Sequence, residues 1–183
     1  MLAVLISISP EWIEKIHRGE KIWELRKSLP KPADHQFIKV YNYETKANGG
    51  RGKIVSEWVL KDYITYFDDI ATKDQRAEVC KNACVTEKQL AEYYQKGREV
   101  IYAWNINDLK IYGQPKELSE FQKLLDCDDY PCNKGEYCGY EYYDRTVGCN
   151  ACGIDFDGNH CIYKQLTRAP QSWCYVEELE EQK

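Results

Sequence analysis

The chain opens on an uninterrupted apolar, β-branched run, "LAVLISI" at residues 2–8, which has the composition of a fully buried strand. "SPEWIEKIHRG" follows. There Ser9 is placed to cap a helix, Pro10 fits the first helical position, Trp12, Ile13 and Ile16 recur at the helical period, and Gly19 provides a stop. The period then changes. From Ile22 to Arg26 apolar and polar residues alternate, so a strand places Trp23 and Leu25 on one face and Ile22, Glu24 and Arg26 on the other. Lys21 falls at the turn between helix and strand, where alternation does not fix its direction.

Further along, "FIKVYNY" reads as a strand, and "KIVSEWVLKDYITYF" as one or two more. Between them Gly49, Gly50 and Gly52 predict a flexible tip; neither the P-loop nor the dinucleotide pattern is present there. A helix is expected within 69–83, and "TEKQ" at 86–89 has capping-box form before "LAEYYQKG", with Gly97 as its stop. "REVIYAWNINDLKIYG" alternates like a strand, "QPKELSEFQKLL" predicts a short helix, and "LTRAPQSWCYVEEL" predicts a turn and a last strand. The acidic end "EELEEQ" reads as a solvated tail.

Length and charge narrow the classes. The 183 residues suffice for one domain with a sizeable core, taken as 1–183, and are too few for two ordinary domains. Residues 126–163, rich in cysteine, glycine and acids, interrupt the periodic pattern and are read as an insertion. The net charge is −5 with 30% charged residues, so there is no global basic field, duplex DNA is disfavoured as a partner, and any nucleic-acid contact must be a local patch. No apolar run approaches the roughly 18 residues of a membrane span, and the apolar opening lacks a basic flank, so no membrane role and a cytoplasmic location are expected.

Six of the nine cysteines, Cys127, Cys132, Cys138, Cys149, Cys152 and Cys161, lie in the insertion. In a reducing compartment such clustering argues for metal before disulfides. "CNAC" at 149–152 supplies one pair with two-residue spacing, and Cys127 with Cys132 supplies another, so a structural zinc held by Cys127, Cys132, Cys149 and Cys152 is the expectation, with Cys138 as the alternate to Cys127. Free thiols or a disulfide compete with it. His160 beside Cys161 keeps a catalytic zinc open, whereas Cys80, Cys84 and Cys174 read as buried thiols or strand residues.

The stretch "LISISPEWIEKIHRGEKIWELRK" resembles the activating signal cointegrator homology (ASCH) family of the PUA-like superfamily. The family signature Gly-x-Lys-x-x-Glu-x-Arg is matched by Gly19, Lys21, Glu24 and Arg26. "FIKVYNYETKANGGRGKIVSEW", "YAWNINDLKIYGQPKEL" and "RAPQSWCYV" follow in the family's order, so the resemblance covers everything outside the cysteine segment. It implies an α+β fold: a small, mostly antiparallel PUA-like β-barrel with peripheral helices, interrupted here by the Cys-rich insertion. It also implies a cleft facing RNA, a modified nucleoside or a nucleotide-like ligand. Some bacterial relatives hydrolyse N4-acetylcytidine with a lysine, a threonine and a glutamate. Lys21 matches that lysine, Glu24 stands where the threonine stands, and the third position is Glu57 or Glu87.

A binding module needs Arg26 and Lys21 for phosphate or base edges, Glu24 to accept from an exocyclic amine, and aromatic faces such as Tyr41 and Tyr43 for stacking. Ser172, before the closing strand, is expected to line the same cleft; Trp173 beside it reads as core. The competing chemistry is hydrolysis of a modified nucleoside, or RNA cleavage, with Lys21 and Glu24 as the catalytic pair. A bland alternative is a surface salt bridge between Glu24 and Arg26 with Lys21 solvated. His17 and His35 read as structural or solvated. The sequence thus points first to an RNA- or nucleotide-binding module, next to a hydrolase, and then to a protein-interaction domain whose contact surface is the cysteine segment.

Overall fold

The computed structural model describes residues 3–30, 37–95, 100–124 and 163–179. The apolar opening forms β1 (Ala3–Ile8), almost wholly buried, and leads into α1 (Pro10–His17), which turns Ile13 and Ile16 to the core. Ser9 occupies the N-cap position in extended conformation without a side-chain cap bond; its Oγ reaches Glu11 Oε1 at 3.4 Å instead. Gly19 follows the helix at φ +71°, a left-handed conformation that glycine adopts without the steric cost of a Cβ.

The remaining elements are β2 (Trp23–Arg26), β3 (Ile38–Glu44), β4 (Lys53–Tyr66), α2 (Lys73–Ala83), α3 (Glu87–Gln95), β5 (Ile101–Lys116), β6 (Gln122–Leu124), β7 (Tyr163–Gln165) and β8 (Trp173–Val176). The stretch predicted as one or two strands forms a single long strand, Lys53–Tyr66. α2 starts later than its sequence window because Thr72 and Gln75 form a reciprocal capping box, and Thr86 with Gln89 caps α3 in the same way.

Two local expectations are corrected. The helix predicted within "QPKELSEFQKLL" does not form: β5 runs to Lys116, a single 3-10 turn covers Leu118–Glu120, and β6 begins at Gln122. Phe121 decides this, since it is fully buried edge-to-face on Tyr41 at 4.9 Å, and its carbonyl accepts from Leu166 N. Tertiary pairing overrides the weak helical propensity. The glycine tip is tied down rather than free. Arg51 N donates to Glu44 Oε1 at 3.0 Å, and a Cβ on Gly50 would lie 1.9 Å from Thr45 O and 2.6 Å from Pro10 Cγ.

Among the described residues the strands form one mixed sheet in the order β2-β5-β4-β3-β1-β8-β6-β7. The β1–β3 pair is parallel and the other strand pairs are antiparallel. The α+β class is as expected; the ladder, however, is open, with β2 and β7 at its ends, rather than a closed barrel. One sheet face, the inner face, carries Val4, Ile6, Ile8, Val40, Trp58, Leu60 and Trp104 against α1. The other face carries Leu5, Tyr41, Tyr43, Ile54 and Phe121, and at the β2 end it is covered by α2 and α3. Each fully buried aliphatic in these layers contributes about 1.5–3 kcal/mol.

Candidate functional site

β2 is a sheet-edge strand with both faces covered. Trp23 and Leu25 pack with Val79, Ala83 and Leu90 of the helices, and the alternate residues Glu24 and Arg26 turn to the inner face. Their neighbours on β5 are Trp104 and Tyr102, paired with Glu24 and Arg26 respectively. Directly opposed residues share a face. Tyr93 of α3 is tied to the strand by its hydroxyl, which donates to Leu25 O at 3.3 Å; burial pushes the Tyr93 phenol above its ordinary range.

Lys21, left without a direction by the sequence, is buried at 4% exposure. Its Nζ donates to Trp23 O at 2.7 Å and Ala83 O at 3.0 Å, and lies 3.3 Å from Glu24 Oε2. Those three acceptors match the three N–H groups of an ammonium. Ala83 is the last residue of α2, where unpaired carbonyls and the negative end of the helix dipole favour a cation. The Trp12 ring lies 5.4 Å from Nζ.

Arg26 completes the cluster at 7% exposure, as does Glu24 at 7%. Its NH2 donates to Ser7 O at 3.0 Å and pairs with Glu24 Oε1 at 3.0 Å; NH1 donates to Ser172 O at 3.3 Å and Ser172 Oγ at 3.2 Å. In the strand order β2 stands four places from β1, so these bonds require the sheet to curl until its edge returns over β1 and the segment before β8. Side chains, rather than a backbone ladder, bridge that seam. Arg26 Nε and Trp104 Nε1 are buried without a hydrogen-bond partner.

Aromatic rings surround the cluster. Trp104 meets Trp58 at 6.5 Å and Trp173 at 6.2 Å, Trp173 meets Tyr175 at 5.2 Å, and Tyr63 meets Tyr102 at 5.8 Å, all edge-to-face. Trp58 and Trp104 are fully buried, whereas Tyr63, Tyr102, Trp173 and Tyr175 are half-buried. Trp173 Nε1 donates to Ser28 Oγ at 3.0 Å, and Ser172 is exposed.

The structure therefore brings Lys21, Glu24, Arg26 and Ser172 together. It does not bring Tyr41 or Tyr43 to them: both are buried in the core of the opposite sheet face, Tyr41 at 0% and Tyr43 at 7% exposure. Glu57, in register with Tyr41 and bonded to Tyr112, lies on that same far face, and Glu87 is exposed at the start of α3. The solvated Lys21 of the bland reading is overturned by its burial. His17 is structural in its contacts. Its Nε2 meets Ser56 Oγ at 2.9 Å, Ser56 accepts from Asn42 Nδ2 at 2.9 Å, and Asn42 Oδ1 accepts from Trp58 Nε1 at 2.9 Å.

Cys127, Cys132, Cys138, Cys149, Cys152, Cys161, His160 and His35 lie outside the described residues. Among the described residues no three His, Cys, Asp or Glu side chains are grouped to hold a metal, and Cys80, Cys84 and Cys174 are free. Burial pushes the Cys174 thiol up to about 11. Among the same residues no helix is long and apolar enough to cross a membrane.

Two crystal structures share this architecture. ASCH from Zymomonas mobilis aligns at 22% identity and TM-score 0.50 over 63% of this chain and 73% of that one. A serine-to-alanine variant of the same protein aligns at 22% identity and TM-score 0.51 over 63% and 74%. The chain carries the ASCH fold. No family model matches the sequence, and no curated protein matches it either. In this ASCH fold the signature residues Gly19, Lys21, Glu24 and Arg26 occupy the place where the sheet edge curls back over β1.

Sequence reasoning missed Trp104, Tyr102, Ser7 and Ala83. Alternation in "IYAWNI" places Tyr102 and Trp104 on one face, yet only the β2–β5 register sets that face beside Glu24 and Arg26.

Proposed function

We propose that this protein is a nucleic-acid-binding module of the PUA-like type that receives a single-stranded RNA segment or a nucleotide on the inner face of its curled sheet. The observation that carries this reading is the set of half-buried rings, Tyr102, Tyr63, Trp173 and Tyr175, packed on the inner-face core, with Tyr102 the register partner of the buried Arg26. Bases stack on such rings irrespective of sequence, and splayed single strands offer the faces that a duplex hides. Ser172, exposed and bonded to Arg26, supplies a hydroxyl at the rim.

Lys21 and Glu24 have a different part in this reading. Lys21 is surrounded by three acceptors, and Glu24 spends one oxygen on Lys21 and the other on Arg26. They hold Arg26 and the sheet edge in place. Both groups are committed to neighbouring charges and carbonyls, which supports a positioning part for them rather than proton abstraction.

Fluorescence anisotropy with labelled single-stranded RNA tests the proposal, using duplex DNA as the control ligand. Tyr102→Ala should weaken RNA binding about tenfold, as loss of one stacked base does. Ile111→Ala, at an exposed position of β5, should leave it unchanged. Duplex DNA bound as tightly as RNA, or RNA binding indifferent to Tyr102, would refute the proposal.

A further inference from the structure

The cluster at the sheet edge is unbalanced in charge and in hydrogen bonding. Two of its three buried charges are positive, so the Lys21, Glu24 and Arg26 side chains, at 4%, 7% and 7% exposure, carry a net positive charge that the C-terminal end of α2 beside Lys21 offsets only in part. Such a charge is costly unless a counter-charge reaches it.

The acceptors around it are engaged. Glu24 Oε1 pairs with Arg26 and Oε2 with Lys21; the carbonyls of Ser7 and Ser172 accept from Arg26, and those of Trp23 and Ala83 from Lys21. The donors are not exhausted. Arg26 Nε and Trp104 Nε1 are buried and unpartnered, and Trp104 is the register partner of Glu24, on the face that Arg26 shares. Ser172 Oγ accepts from Arg26, which leaves its own O–H to donate from an exposed position. Thr45 Oγ1, the other unpartnered buried side-chain atom among the described residues, follows β3 and plays no part in this cluster.

A group that donates hydrogen bonds, such as an exocyclic amine, meets acceptors that each already face a cationic donor. A group that accepts them meets unspent N–H and O–H groups and an excess positive charge. We infer that the ligand presents an oxyanion to this cluster, the phosphate monoester of a nucleotide or of an RNA terminus, held by Arg26 Nε and the Ser172 hydroxyl with the indole N–H of Trp104 behind them. The assignment rests on the binding role proposed above and names the group that the site discriminates.

Calorimetric titration of the full chain with the four ribonucleosides, their 5′-monophosphates and inorganic phosphate tests it. Each monophosphate should bind at least about tenfold tighter than its nucleoside, because charge-assisted bonds to a guanidinium are the strong ones. Trp104→Phe keeps a ring in the core and removes the N–H; it should shrink that preference severalfold while the thermal melt confirms a folded chain. Ser172→Ala, at an exposed position, should act in the same direction. Inorganic phosphate binding as tightly as the nucleotides would support the oxyanion seat and assign it to free phosphate. Equal affinity for nucleosides and monophosphates, with RNA still bound, would overturn the oxyanion assignment and leave the binding role standing. Failure of RNA and every nucleotide to bind would overturn both.

Discussion

Lys21 and Ala83, 62 residues apart in sequence, are joined by a 3.0 Å hydrogen bond from Nζ to the backbone carbonyl, so a residue two positions before β2 anchors the C-terminus of α2. The same nitrogen reaches Trp23 O and Glu24. Replacing Lys21 with Met removes the charge while keeping much of the stem. It leaves two carbonyls without that donor and Glu24 with one cation, so a loss of about 3–5 kcal/mol is expected, the range for breaking a buried pair. Urea denaturation measures it, and a loss below about 1 kcal/mol would mean that the clamp is dispensable.

Asn42 makes the second prediction. It accepts from Trp58 Nε1 and donates to Ser56 Oγ, all three residues being fully buried. Asn42→Ala strands Trp58 Nε1 in the core and leaves Ser56 Oγ with His17 alone, and should cost about 1–3 kcal/mol. Native-like stability would show that the network contributes little.

His17 links stability to pH. Burial, first, and the Arg51 charge, second, hold its imidazole below the ordinary 6.5, with Glu44 opposing. The unfolded chain therefore binds the proton at a higher pH than the folded one, and stability contributed by neutral His17 is present above 6.5 and declines as the pH falls toward the lowered folded value. Melting temperatures between about pH 5 and 8 should fall on the acid side, and His17→Gln should flatten that part of the slope. An unchanged slope would assign the acid sensitivity to other groups.

The glycines divide cleanly. Gly50→Ala drives a Cβ to within 1.9 Å of Thr45 O and 2.6 Å of Pro10 Cγ, so backbone must shift and about 1–3 kcal/mol should be lost. Gly19→Ala meets open space at φ +71° and should cost only about 1 kcal/mol, the price of a left-handed alanine. Equal losses would contradict the packing of the 47–52 turn on α1.

The alternation of "IWELR" was enough to place Glu24 and Arg26 on one strand face, and helical spacing was enough to bury Ile13 and Ile16. The direction of Lys21 was not legible, because its acceptors at Trp23 and Ala83 are backbone carbonyls and carry no side-chain signal. Nor was the wrong side assigned to Tyr41 and Tyr43 avoidable by period alone: alternation tells which residues share a face, and only the packing of Phe121 against Tyr41 tells which face that is. β6 escaped for a related reason, since its partners β7 and β8 are distant in sequence.

The most direct test of the inner-face account is the indole N–H region of a nitrogen-15 correlation spectrum, titrated with single-stranded RNA. The five tryptophans, Trp12, Trp23, Trp58, Trp104 and Trp173, report from different layers. Trp104 and Trp173 should shift with saturating, ligand-dependent changes while Trp23, packed against α2 and α3, stays in place. Movement of Trp23 with Trp104 and Trp173 unmoved would place the ligand on the wrong side of the sheet and contradict the account.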